Sequence, residues 1–404
     1  MRRKKRILRI KRKVWIVLFF LLFLVVISFG FKNKFKDKNV NNKKKDTTPV
    51  VEKVKKPKEY EASLFMIGDA LIHSSVYMDA EKDDGTYDFK PMLELIKPIA
   101  KKYDLRYYNQ ETILGGAELG YSNYPRFNSP QAVGDAFLDA GFNLVSLANN
   151  HTMDKGETGV INSVNYWKSK KNIAFTGQWT SQEERDEAKI YKINGISYAF
   201  FSYTTWTNGL ETPAGKEYLN NVYSYEKASN DINKVKDLVD VIIVAMHWGI
   251  EYSFNVSQSQ INIANELSSL GVNLIIGAHP HVVEPVEYIN DGKTLVIYSL
   301  GNFISDQAGI ERLTGLMMEV KIKKRVEVDD IVNVSIVEPK AQLIYTKSSR
   351  SGKRNFKVYP YSKLNNDLLP NYNSYYETYK SVVSSKYPDL VWGLTGEWDY
   401  GNIE

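Results

Sequence analysis

No cysteine occurs in the 404 residues, and histidine occurs only five times. Without cysteine there is no disulfide to form, and any bound metal must be held by nitrogen and oxygen ligands. Such a composition fits the exterior of a bacterium that lacks periplasmic disulfide chemistry. No repeat of solenoid type is present, which excludes a stacked-repeat architecture. Residues 2–13 contain no acid but nine Lys/Arg. The one long apolar run follows them, and no A-x-A-like cleavage site follows the run.

That run is Val14 to Phe31, 18 residues without a charge. At ~1.5 Å per residue it spans ~27 Å, enough for a bilayer core. With the basic run before it, it is expected to be an uncleaved, single-pass signal anchor whose N-terminus is cytoplasmic. Residues 32–61 are rich in Lys and Asn and lack apolar periodicity, so a disordered tether is expected there. The net charge of +6 is unevenly placed. Residues 1–61 carry 20 Lys/Arg against 5 Asp/Glu, a net of +15, which leaves −9 for the rest. An acidic body behind a basic tail argues against a nucleic-acid partner and for a membrane.

From residue 62 the chain repeats strand, polar loop, helix, a pattern of α/β architecture with a layered sheet and helices outside. Strands are expected at Ser63–Ile67, Leu105–Tyr108, Phe142–Ala148, Ile196–Tyr203, Val239–Met246, Val272–Ile276 and Thr294–Tyr298. A helix is expected over Met92–Lys101. Beyond residue 310, strands at Leu313–Lys324 and Ile331–Tyr345 and a helix at Tyr375–Ser385 either extend the sheet or form a small C-terminal β/α extension.

All five histidines, His73, His151, His247, His279 and His281, follow strand-like runs directly or within one turn. In LIIGAHPH, Gly277 allows an abrupt change of direction and Pro280 fixes φ between two imidazoles. Asp69 leaves a strand end four residues before His73. If a helical turn begins there, both face one way; otherwise Asp69 caps a helix and His73 lies on the surface. Glu111 is a second strand-end carboxylate, or an ordinary turn residue. In Asn149 to Gly156, Asn149 can cap the turn and Asp154 can orient His151 by accepting its ring N–H. Arg126 sits in a loop with possible anion contact.

Histidines at five strand ends, with Asp69, Glu111 and Asn150 at equivalent places, point to a divalent metal centre. The donor set favours Mn, Fe, Zn or Mg. Seven candidate ligands exceed one ion's need and leave room for two ions sharing a carboxylate, an arrangement that serves hydrolysis.

The motifs GDALIH, NQE, LANNHTMDKG, MHWGIEY, GAHPHV and YSLGNF, in this order over roughly residues 62–310, closely resemble the CapA (PgsA) family of bacterial capsule proteins. The resemblance implies a role in poly-γ-glutamate synthesis, transport or anchoring, with capsule synthase or transport subunits and the polymer as partners. It also implies a layered β-sandwich flanked by helices, similar to calcineurin-like metallophosphoesterases. Carried over, it implies one ion held by Asp69, His73 and His281, with Glu111 bridging. Asn150, His247 and His279 would hold a second, and His151, backed by Asp154, would be the free acid. Two positions depart from the phosphoesterase pattern: three residues rather than one separate Asp69 from His73, and the bridging residue is Glu rather than Asp. Two other functions are expected alternatives, a non-catalytic polymer- or synthase-binding protein and an envelope phosphoesterase unrelated to capsule.

Overall fold

The computed structural model describes residues 56–349 and 352–395. The basic run, the expected anchor and most of the tether therefore lie outside the described residues. Among the described residues, no helix is long and apolar enough to cross a membrane.

Two sheets form the body. The first begins with β1 (Lys58–Ala70), β2 (Leu105–Gln110), β3 (Leu144–Ser146) and β4 (Ala174–Thr176). The second contains β5 (Tyr191–Ile193), β6 (Ile196–Thr204), β7 (Val241–His247), β8 (Leu274–Ala278), β9 (Val286–Ile289) and β10 (Thr294–Ile297). The chain then returns to the first sheet with β11 (Asn302–Ile304), β12 (Thr314–Val326), β13 (Val332–Lys347), β14 (Lys357–Pro360) and β15 (Val391–Trp392). The strand order is β14-β13-β12-β1-β2-β3-β4 in the first sheet, with β11 beside β1 and β15 beside β13. In the second it is β5-β6-β7-β8-β10-β9.

Side chains alternate across each strand, and both faces of the central strands are apolar. Leu64, Met66, Leu105 and Tyr107 of the first sheet share one buried cluster with Ile243, Ala245, Leu274 and Ile276 of the second. The intervening residues Phe65, Tyr108 and Val145 turn outward onto Val133, Phe137 and Trp167 of the helices Ala132–Asp139 and Gly156–Lys168. On the far side, Val244 and Ile275 pack with Ile232, Val235, Ile263 and Leu267 of the helices Tyr225–Val235 and Gln258–Ser269. The result is two layers of strands between layers of helices, the α/β sandwich expected.

Several local expectations change. β1 starts at Lys58, inside the stretch read as tether, because Lys58 to Glu61 pair antiparallel with Lys323 to Val326 of β12. Surface ion pairs such as Glu59–Arg325 at 2.9 Å accompany that ladder but contribute less than about 1 kcal/mol each. The helix expected over Met92–Lys101 is instead a 3₁₀ turn, Lys90–Leu93, and one short α-turn, Lys97–Ala100. Pro91 and Pro98 remove the donors a continuous helix needs. Of the two alternatives for the strands beyond residue 310, extension of the sheet is the one seen: β12 lies between β1 and β13 inside the first sheet.

Gly277 has a different role from the one read in the sequence. It lies within β8, and a Cβ there would stand 1.8 Å from the Tyr298 carbonyl oxygen. The glycine permits close approach of backbones, and the change of direction falls on His279 and His281 instead, with φ of 97° and 59°. Two left-handed histidines cost roughly 1–3 kcal/mol each, so the surrounding packing must hold them there.

Candidate metal centre

The parallel strands of both sheets end on the same side of the molecule, and their last residues and following loops converge. β1 supplies Asp69, β2 is followed by Glu111, and β3 by Asn149 to Asp154. From the second sheet β7 ends in His247, and β8 runs into His279 and His281.

Glu111 is at the centre. It is wholly buried, and neither carboxylate oxygen has a hydrogen-bond partner. Its Oε1 stands 3.6 Å from His281 Nε2 and 3.7 Å from His247 Nε2. Ligand atoms of Glu111, His279 and His281 all lie within 4.8 Å of one another. Nitrogen and oxygen ligands sit about 2.0–2.2 Å from a transition-metal ion, so this spacing approaches that of donors on one ion.

A second knot of donors lies alongside. His247 Nε2 is 2.9 Å from Asn150 Oδ1 and 3.1 Å from His279 Nδ1. Asn150 turns its oxygen inward because its Nδ2 donates to Asn208 Oδ1 at 3.3 Å. Asp69 is fixed from outside: Asn109 Nδ2 donates to Oδ1 at 2.9 Å, and Ser146 Oγ donates to Asn109 Oδ1 at 2.8 Å. The His279 backbone N–H donates to Asp69 Oδ2 at 3.3 Å. His281 Nδ1 lies 3.0 Å from Asn302 Oδ1, so a ring proton belongs on Nδ1 and Nε2 is the nitrogen that faces Glu111.

The charges are unresolved within the protein itself. Burial holds His247 well below its ordinary value and lowers His279 to about 3, so both imidazoles are neutral near pH 7. Burial pushes the Glu111 carboxyl well above its usual range. His281 goes the other way: burial acts to lower it, but the Glu111 and Asp69 carboxylates raise it to about 9. A carboxyl of this burial ordinarily has partners. Neutral imidazoles with free lone pairs, an inward amide oxygen and an unpartnered carboxylate are the donor set of a hard-to-borderline divalent cation. The residues present therefore fit such an ion.

The structure brings together Asp69, Glu111, Asn150, His247, His279 and His281. His73 is held differently. β1 is extended through Ala70 and the next helix starts only at Ser74, so no helical turn joins Asp69 to His73, and Asp69 caps no helix. The His73 ring packs edge-on to Phe127, 5.3 Å between centroids. Its Nδ1 lies 3.1 Å from the Leu71 carbonyl and 3.2 Å from the Asp306 amide, and one tautomer can serve only one of them.

His151 is likewise off the donor knot, yet it is close enough to lower both His247 and His279 electrostatically. Its Nδ1 is 2.8 Å from Asp154 Oδ2, which also accepts the Phe127 N–H at 2.6 Å. Asn149 accepts the His151 N–H at 2.8 Å, closing the turn as the sequence suggests. Phe127 packs edge-on to His151 at 4.7 Å. Sequence reasoning gave no role to Asn109, Asn208 or Phe127. For Asn109 there was a signal, a polar residue beside Glu111 at the end of a buried strand.

The model of the bacterial capsule synthesis protein PGA_cap matches residues 63–307, over half of the chain. The chain belongs to the PGA_cap family. Asp69, Glu111, Asn150, His247, His279, His281 and Asn302 all fall inside the PGA_cap segment. The PGA biosynthesis protein CapA of Bacillus subtilis (strain 168) is 30% identical over 192 residues, 46% of this chain and 48% of the relative. This chain's match thus spans about half of that relative's length. The capsule biosynthesis protein CapA of Bacillus anthracis is 23% identical over 300 residues, 72% of this chain and 71% of the relative. Among solved structures, a hypothetical protein from Thermus thermophilus is similar at a TM-score of 0.38 and 16% identity, covering 69% of this chain and 98% of that one.

Proposed function

We propose that this chain acts in the formation of a poly-γ-glutamate capsule through a divalent-metal site of hydrolase type. Membership of the PGA_cap family supports the capsule role. The site reading is carried by one observation, the fully buried Glu111 carboxylate with two unpartnered oxygens among histidines. Glu111, Asp69, Asn150, His247, His279 and His281 would hold the metal, with Asn109 and Asn302 fixing the orientation of Asp69 and His281. A divalent ion in this position supplies Lewis acidity and an activated water. Asp154 keeps a ring proton of His151 on Nδ1, which leaves Nε2 as the atom that exchanges a proton with a substrate. Phe127 shields that imidazole from one side. Elemental analysis of the purified chain after reconstitution with Mn or Zn is expected to give one or two ions per chain. Protein that stays free of both metals would remove this reading of the site.

The body is proposed to lie outside the cell, tethered by Val14 to Phe31, with the basic run in the cytoplasm. Nine basic residues directly before an uncharged 18-residue segment support that orientation. Protease added to intact protoplasts is expected to remove the body. A body that survives until the membrane is opened would reverse the topology.

A further inference from the structure

The mouth of the centre carries a stack of three side chains. The His281 ring lies 6.0 Å from that of Tyr252, and the Arg312 guanidinium lies over the other part of the stack, 4.7 Å from the Tyr252 centroid. Tyr252 is 45% exposed, unusual for a tyrosine held so close to a buried centre. It also has φ of 66°, and its backbone N–H donates to the Pro280 carbonyl at 2.7 Å. The loop thus accepts a strained residue in order to carry an aromatic face beside His281.

Arg312 belongs to a short helix, Ile310–Leu313, just past the PGA_cap match. It is tied to the centre through its backbone: Asn302, which fixes His281, donates from Nδ2 to the Arg312 carbonyl at 2.9 Å. The same Nδ2 donates to Gln307 Oε1 at 2.9 Å, and Gln307 Nε2 donates to the Tyr252 hydroxyl at 3.4 Å. The Arg312 backbone and the Tyr252 hydroxyl are therefore both tied to the metal-side network. The side chain bears on the Tyr252 hydroxyl and on Glu311. Its Nε is 3.3 Å from the adjacent Glu311, a pair about a third exposed and of little strength. A guanidinium held over an aromatic ring still has five N–H donors, and those turned away from the ring match the two oxygens of a carboxylate or phosphate. Glu251, exposed beside it, bears on the same tyrosine hydroxyl and opposes an anion there.

We propose that Arg312, laid on the Tyr252 ring, forms a subsite that receives an oxyanion of the substrate, a carboxylate or a phosphate, beside the metal centre. The place of this subsite in catalysis rests on the reading given under the proposed function, but its anion binding does not. The test is calorimetric titration of the purified full chain, metal-loaded and metal-free, with γ-glutamylglutamate and with inorganic phosphate. Arg312→Ala is expected to weaken one of the two probes by about 10- to 100-fold with metal content unchanged, the range for a lost charged hydrogen bond. Arg312→Lys should fall between, because it keeps the charge and loses the fork, and Glu251→Gln should bind more tightly than the parent. The probe that responds identifies the source of the oxyanion. Equal affinity in the parent and Arg312→Ala chains, or no binding of either probe by the parent, overturns the subsite. Failure of the parent to take up metal overturns the metal reading alone, and Arg312 dependence is then read in the metal-free chain.

Discussion

Glu111→Gln should yield a folded chain that has lost divalent metal almost completely. With Asp69, Glu111 is one of two carboxylates beside the histidines, and the one whose oxygens are both without a hydrogen-bond partner, while glutamine offers a neutral oxygen in nearly the same volume. Altering residues that merely support a ligand costs about 10–100-fold in metal affinity, so loss of this central ligand should cost at least ~100-fold. The folded state should tolerate the change, because in the metal-free chain the carboxyl is a buried acid without a partner. Metal at about 100 times its dissociation constant adds about 2.7 kcal/mol to the parent's stability. Melting curves with and without Mn or Zn should thus separate for the parent and coincide for the variant. Proton release should follow the same division. Glu111 is raised by burial and His281 is raised to about 9 by the carboxylates, so metal must displace a proton held by the pair. A variant that binds metal as tightly as the parent would place the ion elsewhere.

His151→Ala is the complementary case, in which metal stays and turnover goes. The imidazole is off the donor knot, and Asp154 fixes its tautomer at 2.8 Å. A positioned general acid contributes ~10²–10⁴-fold, so turnover should fall by that factor with metal stoichiometry unchanged. If turnover is what the cell needs, capsule is lost as well. Melting temperature, metal content and activity must be read on one preparation. A joint fall of stability and metal content would mean that His151 only packs beneath the loop. Full activity and capsule in the variant would remove His151 as the acid and favour a polymer- or synthase-binding role.

Much of the centre was legible because its signals are local. A buried strand is an apolar run, and the polar residue that ends it is the next in the chain. This is why Glu111, His247, His279 and His281 could be named from sequence. The His73 spacing would have faced Asp69 only across a helical turn, and there β1 continues to Ala70. Gly277 misled for another reason: what it avoids is the Tyr298 carbonyl, 21 residues away in sequence and invisible to any local pattern. Lys58 to Glu61 read as tether because their composition is polar, and only the ladder with β12 makes them a strand. Asn208 and Arg312 could not have been found, since each acts through a partner from a distant segment.

β1 has β2 along one edge, while its other edge is shared: β11 covers the Asp69 end and β12, which begins about 240 residues later in the chain, covers Lys58 to Met66. Pairing at that separation is slow, because a very long loop must close before the ladder forms. During synthesis the first part of the strand that carries Asp69, Lys58 to Met66, therefore waits with one edge open until residues past 320 have emerged. A fragment stopped at the end of the PGA_cap match would contain every proposed metal ligand and β11, and still leave the edge from Lys58 to Met66 bare, inviting strand addition by other copies. The proposed metal loading would then belong to the finished chain, in whatever compartment its last strands fold.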